Sequence, residues 1–312
     1  MTAAPVTLWT DAPDAPAQLR RRLDEGLVPA AAAADLAHLI AHGWVLWPGA
    51  IEPALIDRLV ADVRGHHRHP GMFVTTDHRN DTSVLRLSGT APDAFESLFD
   101  LYVNSAAARD LALHPRIARF LALVFQARPI AFQQLLFQRS NGHQVHQDTA
   151  FVAIEEPMLL TATWIALEDV VEGSGELGWY DRSHTLAPHV FTDGSRRFGA
   201  GDDGAAYAAG LDAACRAQGF AYRTLVAKKG DVFFWTADLV HRSHPRRLAA
   251  ETSRLSCVTH YCPSTTVPFW FRFHPDHRGL QPHGIGAFAS AYYRLPTAGA
   301  MTAPARGTGR PT

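Results

Sequence analysis

The sequence predicts a mainly β protein in one domain, a sandwich or barrel with helices packed on one face. Three observations predict it. Apolar residues recur at helical spacing through the first part of the chain. After Phe125 the period changes to two, and from there turn signals cut the chain into many strand-length runs.

The elements follow in order. Residues 1–16, rich in Ala and Pro, are expected to form a disordered tail, as are residues 297–312. Residues 31–42 are Ala-rich and helix-prone; Gly43 ends that helix, and WVLWP reads as a short strand. Pro53 suits a first helical turn, and Leu55, Ile56, Leu59, Val60 and Val63 follow as one apolar stripe. Residues 94–112 and 115–125 predict two further helices, the second presenting Ile117, Phe120, Leu121 and Val124. Residues 129–139 alternate as a strand. Ile130, Phe132, Gln134, Leu136 and Gln138 share one side; Ala131, Gln133, Leu135, Phe137 and Arg139 share the other. More strands are expected at 145–153, 159–167, 175–180, 221–227, 231–236, 239–243 and 253–262. The stretch 197–218 reads as a Gly-rich loop running into an Ala-rich helix. The expected domain spans 17–296, with a helical part at 17–128 and a barrel core at 129–263.

Composition narrows the class. A formal net charge of −1 without a basic stripe speaks against a nucleic-acid partner. The N-terminus lacks the basic head and apolar core of a signal peptide, and no apolar run has the length of a membrane span. Cys215, Cys257 and Cys262 are too few and wrongly spaced for a disulfide framework or a structural zinc site. They read as small apolar fillers in a reducing compartment. The expectation is a soluble, cytoplasmic monomer or homodimer that acts on a small molecule.

The chemistry concentrates in a few stretches. SNGHQVHQDTAF, residues 140–151, holds His143, His146 and Asp148. On a strand His146 and Asp148 point the same way, with Cα atoms roughly 6.5–7 Å apart. An imidazole and a carboxylate, joined by a second imidazole, make the facial triad of non-haem Fe(II) oxygenases, which leaves three positions open. The stretch KKGDVFFWTADLVHRSHPRR offers His241 or His244 as that second imidazole, and periodicity does not choose between them. In ETSRLSCVTHY, Arg254 shares a strand face with Ser256, Val258 and His260. A guanidinium in an apolar strand needs an anionic partner. That partner is either an acid such as Glu251 or Asp231, or a carboxylate cosubstrate held bidentately. The run His66-His67 and His69 reads as a polar helix end.

Taken together, HQD, WIALEDVVEGSGEL from Trp164, RSHT, GDVFFWTADLVHRS and Arg254 resemble the phytanoyl-CoA dioxygenase family in order and spacing. The resemblance covers about residues 129–263. It implies an Fe(II)- and 2-oxoglutarate-dependent oxygenase on a double-stranded β-helix, a jelly-roll or cupin-like barrel. It assigns His146, Asp148 and His241 as metal ligands, preferring His241 because Ser243 follows it at plus two. It further implies Arg254 as the anchor of 2-oxoglutarate, Ser243 beside the far carboxylate, and Trp164 lining that pocket.

Two positions depart from the family pattern: Val145 stands where an aromatic is common, and Asp181-Arg182-Ser183-His184 replaces the usual P-G-S-H. Both bear on substrate entry rather than on iron. Related halogenases carry a small residue in place of Asp148, so a carboxylate there argues for hydroxylation or another oxidation, not halogenation. The expected reaction hydroxylates an unactivated C–H bond of a small metabolite or natural-product intermediate. O2 is the oxidant, 2-oxoglutarate becomes succinate and CO2, and ascorbate is the expected activator in vitro. Candidate substrate contacts are Gln134, Gln138, His143, Trp179 and Arg182. The competing readings are a cupin-type metal enzyme that does not use 2-oxoglutarate and a non-catalytic binding protein on the same fold.

Overall fold

The computed structural model describes residues 7–68, 73–76, 84–86, 97–140, 142–152, 159–249, 252–272 and 275–296. The helices are α1 (Ala15–Asp24), α2 (Ala33–His42), α3 (Pro53–Arg64), α4 (Ala106–Ala112), α5 (Pro115–Phe125), α6 (Asp148–Phe151) and α7 (Gly204–Ala217). The first strands are β1 (Trp44–Trp47), β2 (Val74–Thr76), β3 (Val84–Arg86), β4 (Ser97–Phe99) and β5 (Pro129–Phe137). They are followed by β6 (Thr161–Ala166), β7 (Leu177–Tyr180), β8 (Tyr222–Leu225), β9 (Val232–Thr236), β10 (His241–Ser243) and β11 (Ser256–Pro263). The last two are β12 (Gln281–His283) and β13 (Gly286–Phe288).

These strands build a double-stranded β-helix. A large sheet runs β1-β9-β6-β11-β5-β4-β2-β3, with β13 and β12 attached, and a small sheet runs β10-β7-β8. The chain alternates between them: β6 and β9 lie in the large sheet, β7, β8 and β10 in the small one, and β11 returns to the large one. The two-residue period of each strand then sorts side chains into two cores. Ile165, Val232, Phe234 and Cys257 face the helices and join Leu36, Leu39, Ile56, Leu59, Ile117 and Leu121. Ala162, Trp164, Phe233 and Trp235 face the small sheet and meet Leu177 and Trp179. The helices thus cover one face of the large sheet and leave the space between the sheets for the site.

Local signals hold where expected. Gly43 takes φ 81°, accepted by glycine without a Cβ penalty, and its N–H closes α2 on Leu39 O. A Cβ there would lie 2.5 Å from the His184 ring. Pro53 opens α3 and Pro115 opens α5. All three cysteines are free and buried. His66 is buried just past α3 and donates from Nδ1 to Val63 O at 2.7 Å; His69 lies outside the described residues.

Four expectations are corrected. Trp9–Asp11 form a 3-10 turn and α1 begins at Ala15, so the expected tail over 1–16 is structured from there. Trp9 is buried and donates from Nε1 to Leu123 O, which fastens this segment to α5. Residues 1–6 and 297–312 lie outside the described residues. The helix expected over 94–112 is instead β4, a short 3-10 turn and α4. Asp100 breaks it with φ 48° and a fully buried carboxylate that accepts from Tyr102 OH, Gln134 N–H and Ser290 Oγ. The strand expected over 145–153 is a single bridge at His146 followed by α6. Finally, β12 and β13 extend the sheet beyond 263. Here β13 pairs in parallel with the first half of β5 while β4 pairs with its second half. Among the described residues no helix is long and apolar enough to cross a membrane.

Candidate metal centre

The centre forms where the chain twice meets the edge of the small sheet. His146 and His241 exchange both backbone hydrogen bonds, N–H to O at 2.9 Å in each direction. This reciprocal bridge sets their rings side by side, with centroids 4.3 Å apart. The chain then turns into α6 because the loop before His241 captures it. Thr149 N–H donates to Ala237 O, the Gln147 amide to Asp238 O at 2.7 Å, and Thr149 Oγ1 to the Asp238 carboxylate at 2.5 Å. The turn carries Asp148 inward. Its Oδ1 lies 3.8 Å from His146 Nε2 and 3.7 Å from His241 Nε2. One donor atom from each of the three residues fits within 4.8 Å of the others.

The donor set suits a divalent ion. His146 Nδ1 meets Gln144 O at 2.8 Å and His241 Nδ1 meets Leu239 O at 2.9 Å. A carbonyl only accepts, so both rings carry their proton on Nδ1 and turn an Nε2 lone pair inward. Burial lowers the pKa of both imidazoles, that of His146 to about 4. Burial would raise Asp148, but the imidazoles of His241, His260 and His146 outweigh it and hold the carboxyl below its usual range. Neutral imidazoles and an ionised carboxylate are the states a metal requires.

Two contacts that periodicity did not single out complete the acid's surroundings. Trp235 Nε1–H donates to Asp148 Oδ2 at 2.7 Å, and His260 Nε2 lies 3.6 Å from the same oxygen. His260 sits on the face of β11 that the sequence pattern shares with Arg254, which was the available signal.

A cavity of about 590 Å³ opens beside the three ligands. Arg254, Trp164 and Ser243 line it. Arg254 is 3% exposed, with its guanidinium 5.7 Å from the Trp164 ring centroid. One of its nitrogens donates to Gly175 O at 2.9 Å, while Nε meets no partner. Burial lowers its pKa to about 10, against the opposing fields of Glu176 and Glu168. Among the described residues no ion pair engages it. Asp231, one acid considered above, instead accepts from Gly49 N–H and Lys228 N–H; Glu251 lies outside the described residues. A buried cation with an unspent donor on a cavity wall fits a carboxylate ligand. Ser243 Oγ accepts from His143 N–H at 2.9 Å.

The candidate substrate contacts divide. His143 is exposed at the cavity rim, its ring edge-on to Phe137 and His146. Gln134 faces the helices: its amide oxygen accepts from Tyr102 N–H and its Nε2 lies near Ala108 O and Thr259 Oγ1. Gln138 is buried but does not line the cavity. Trp179 packs between the sheets against Trp44 and Phe233, and Arg182 is exposed at a positive φ of 69° away from the cavity. Of the two departures in the motif, Val145 lines the cavity. Asp181 does not; it accepts from His42, Trp44 and Arg223 and ties the small sheet to α2.

Known proteins resemble this chain. The model of the family Phytanoyl-CoA dioxygenase (PhyH) matches residues 41–251. No curated protein sequence matches the chain. Among solved structures, the epimerase SnoN in complex with Fe3+, alpha ketoglutarate and nogalamycin RO is similar at 20% identity. That match covers 80% of this chain and 86% of SnoN, with a TM-score of 0.53. EctD from S. alaskensis is similar at 16% identity over 76% of this chain and 78% of its own, with a TM-score of 0.54. The carbocyclase SnoK from nogalamycin biosynthesis is 16% identical over 74% and 83%, with a TM-score of 0.52. At these identities the likeness concerns the fold.

Proposed function

Because this chain belongs to the phytanoyl-CoA dioxygenase family, we propose that it is a non-haem Fe(II)- and 2-oxoglutarate-dependent oxygenase. Its reaction is hydroxylation of an unactivated C–H bond in a small metabolite or natural-product intermediate. One observation carries the reading: a single cavity holds two inward Nε2 atoms, a carboxylate oxygen within 4.8 Å of them, and a buried guanidinium with an unspent donor.

His146, Asp148 and His241 would hold the metal. When bound, the iron supplies the O2 chemistry that converts 2-oxoglutarate to succinate and CO2 and delivers one oxygen atom to the C–H bond. The protein does the rest. Arg254 binds the carboxylate of 2-oxoglutarate remote from the metal, in a fork that also fixes its direction. Ser243 and Trp164 flank it. Gln144 O and Leu239 O hold the imidazole tautomers, and Trp235 holds the acid. Apolar walls, including Leu135, Leu177 and Val258, exclude water. A cupin-type enzyme that ignores 2-oxoglutarate would leave Arg254 buried without an anion, a costly arrangement.

Anaerobic titration with Fe(II) and then 2-oxoglutarate, followed by an assay for succinate in air with ascorbate, tests this. Both ligands are expected to bind, and His146→Ala and Asp148→Ala are each expected to lower 2-oxoglutarate consumption at least ~100-fold by removing a metal ligand. Wild-type consumption in either variant overturns the assignment. Metal binding without 2-oxoglutarate binding returns the protein to the cupin-type reading.

A further inference from the structure

Part of the cavity wall has no role in the reaction so far. Phe137, Val145, Phe151, Val152 and Tyr207 form it. Phe151 is 46% exposed although it lies at the cavity, with ring centroids 5.8 Å from His146, 5.3 Å from Phe198 and 6.1 Å from Tyr207. An aromatic face left open beside a metal ligand is a platform for another apolar ring.

Tyr207 adds a polar point to this wall. It is 5% exposed, and its hydroxyl oxygen accepts a long contact, 3.4 Å, from Gln147 N–H. Among the described residues nothing accepts the hydroxyl proton in return. Burial raises its pKa, so the phenol keeps that proton. A buried donor on a residue that lines a cavity calls for an acceptor there.

Charge selects further. The first N–H groups of α7, which would otherwise suit an anion, are already spent. The Asp203 side chain accepts from Ala205 N–H at 2.9 Å and Ala206 N–H at 3.1 Å. Among the described lining residues the only acid is Asp148, a ligand, so none of them is free to balance a cationic substrate. Arg254 belongs to the cosubstrate. Arg242 also borders the cavity, but its side chain alternates to the other face of β10, where Tyr222 and His244 feel its charge.

We propose that the substrate is an uncharged molecule with an apolar ring that packs on Phe151 and an oxygen that accepts the Tyr207 hydroxyl proton. A cavity of this volume holds such a molecule beside a small keto acid. The inference rests on the oxygenase reading only for what else occupies the cavity.

Calorimetry under nitrogen tests it with four probes: acetylnaphthalene, ethylnaphthalene, naphthoate and aminomethylnaphthalene. Protein is first titrated with Fe(II) and 2-oxoglutarate, which tests the oxygenase reading by itself, and then with each probe. Acetylnaphthalene is expected to bind about tenfold more tightly than ethylnaphthalene, with both charged probes weaker. Tyr207→Phe is expected to erase the preference for the acetyl group, and Phe151→Ala to weaken both neutral probes by a similar factor. The inference is overturned if a charged probe binds best, if Tyr207→Phe keeps the preference, or if none of the four binds. Should 2-oxoglutarate fail to bind while the probes rank as stated, the oxygenase reading falls and this one stands.

Discussion

Trp235 orients the Asp148 carboxylate from the side away from the two imidazoles. Its indole N–H occupies Oδ2 at 2.7 Å, which leaves Oδ1 as the oxygen nearest the two imidazoles. Trp235→Phe keeps a large ring in the inter-sheet core and removes only the donor. The expected result is Fe(II) affinity lower by about 10- to 100-fold, read by anaerobic calorimetry, with the melting temperature close to wild type. Arg254→Lys tests the other anchor. Lysine keeps the charge but not the fork, so the dissociation constant of 2-oxoglutarate is expected to rise about tenfold or more while metal affinity holds; equal loss of both would make Arg254 a structural residue. At this scale much was legible. His146, Asp148 and the Arg254 strand stand out in the sequence, and His260 shares the face of Arg254. The role of Trp235 was not legible, because it depends on β9 and β11 flanking β6 so that Trp235 and His260 converge on one acid.

Among elements, the instructive case is α6. Alternation placed His146 and Asp148 on one strand face; the structure unites them through a bridge and a turn instead. The reason lies ninety residues away, in backbone and side-chain groups of Ala237 and Asp238 that hold Gln147 and Thr149. No local pattern contains that information. Gln134 teaches the same lesson on β5. Its strand face was read correctly, but which face meets the helices depends on where the helices pack. The stop of α2, by contrast, was legible from Gly43 alone. Gly43→Ala forces a Cβ into a left-handed position against the His184 ring. It is expected to destabilise the protein by more than about 1 kcal/mol, measured as a lower midpoint in urea; an unchanged midpoint would mean that the turn relaxes.

For the whole molecule, stability and site are linked through protons. Folded His146 has a pKa of about 4 against an ordinary 6.5. Between those values the unfolded chain binds more protons, so stability rises with pH across this window and is lost as pH falls from about 6.5 toward 4. His241, also lowered, adds in the same direction. Metal-free protein is therefore expected to melt lower at pH 5 than at pH 7.5, on the order of 5 °C, in a thermal scan. A flat profile would mean that these imidazoles titrate freely in the folded state.

The edge of β5 carries a consequence of another kind. Its second half is completed by β4, made some thirty residues earlier, but its first half waits for β13, about 150 residues further along the chain. A nascent chain emerging from the ribosome therefore carries an unfilled strand edge through most of its synthesis. Until β13 arrives, Ile130 and Ala131 are open to pairing with a neighbouring polypeptide.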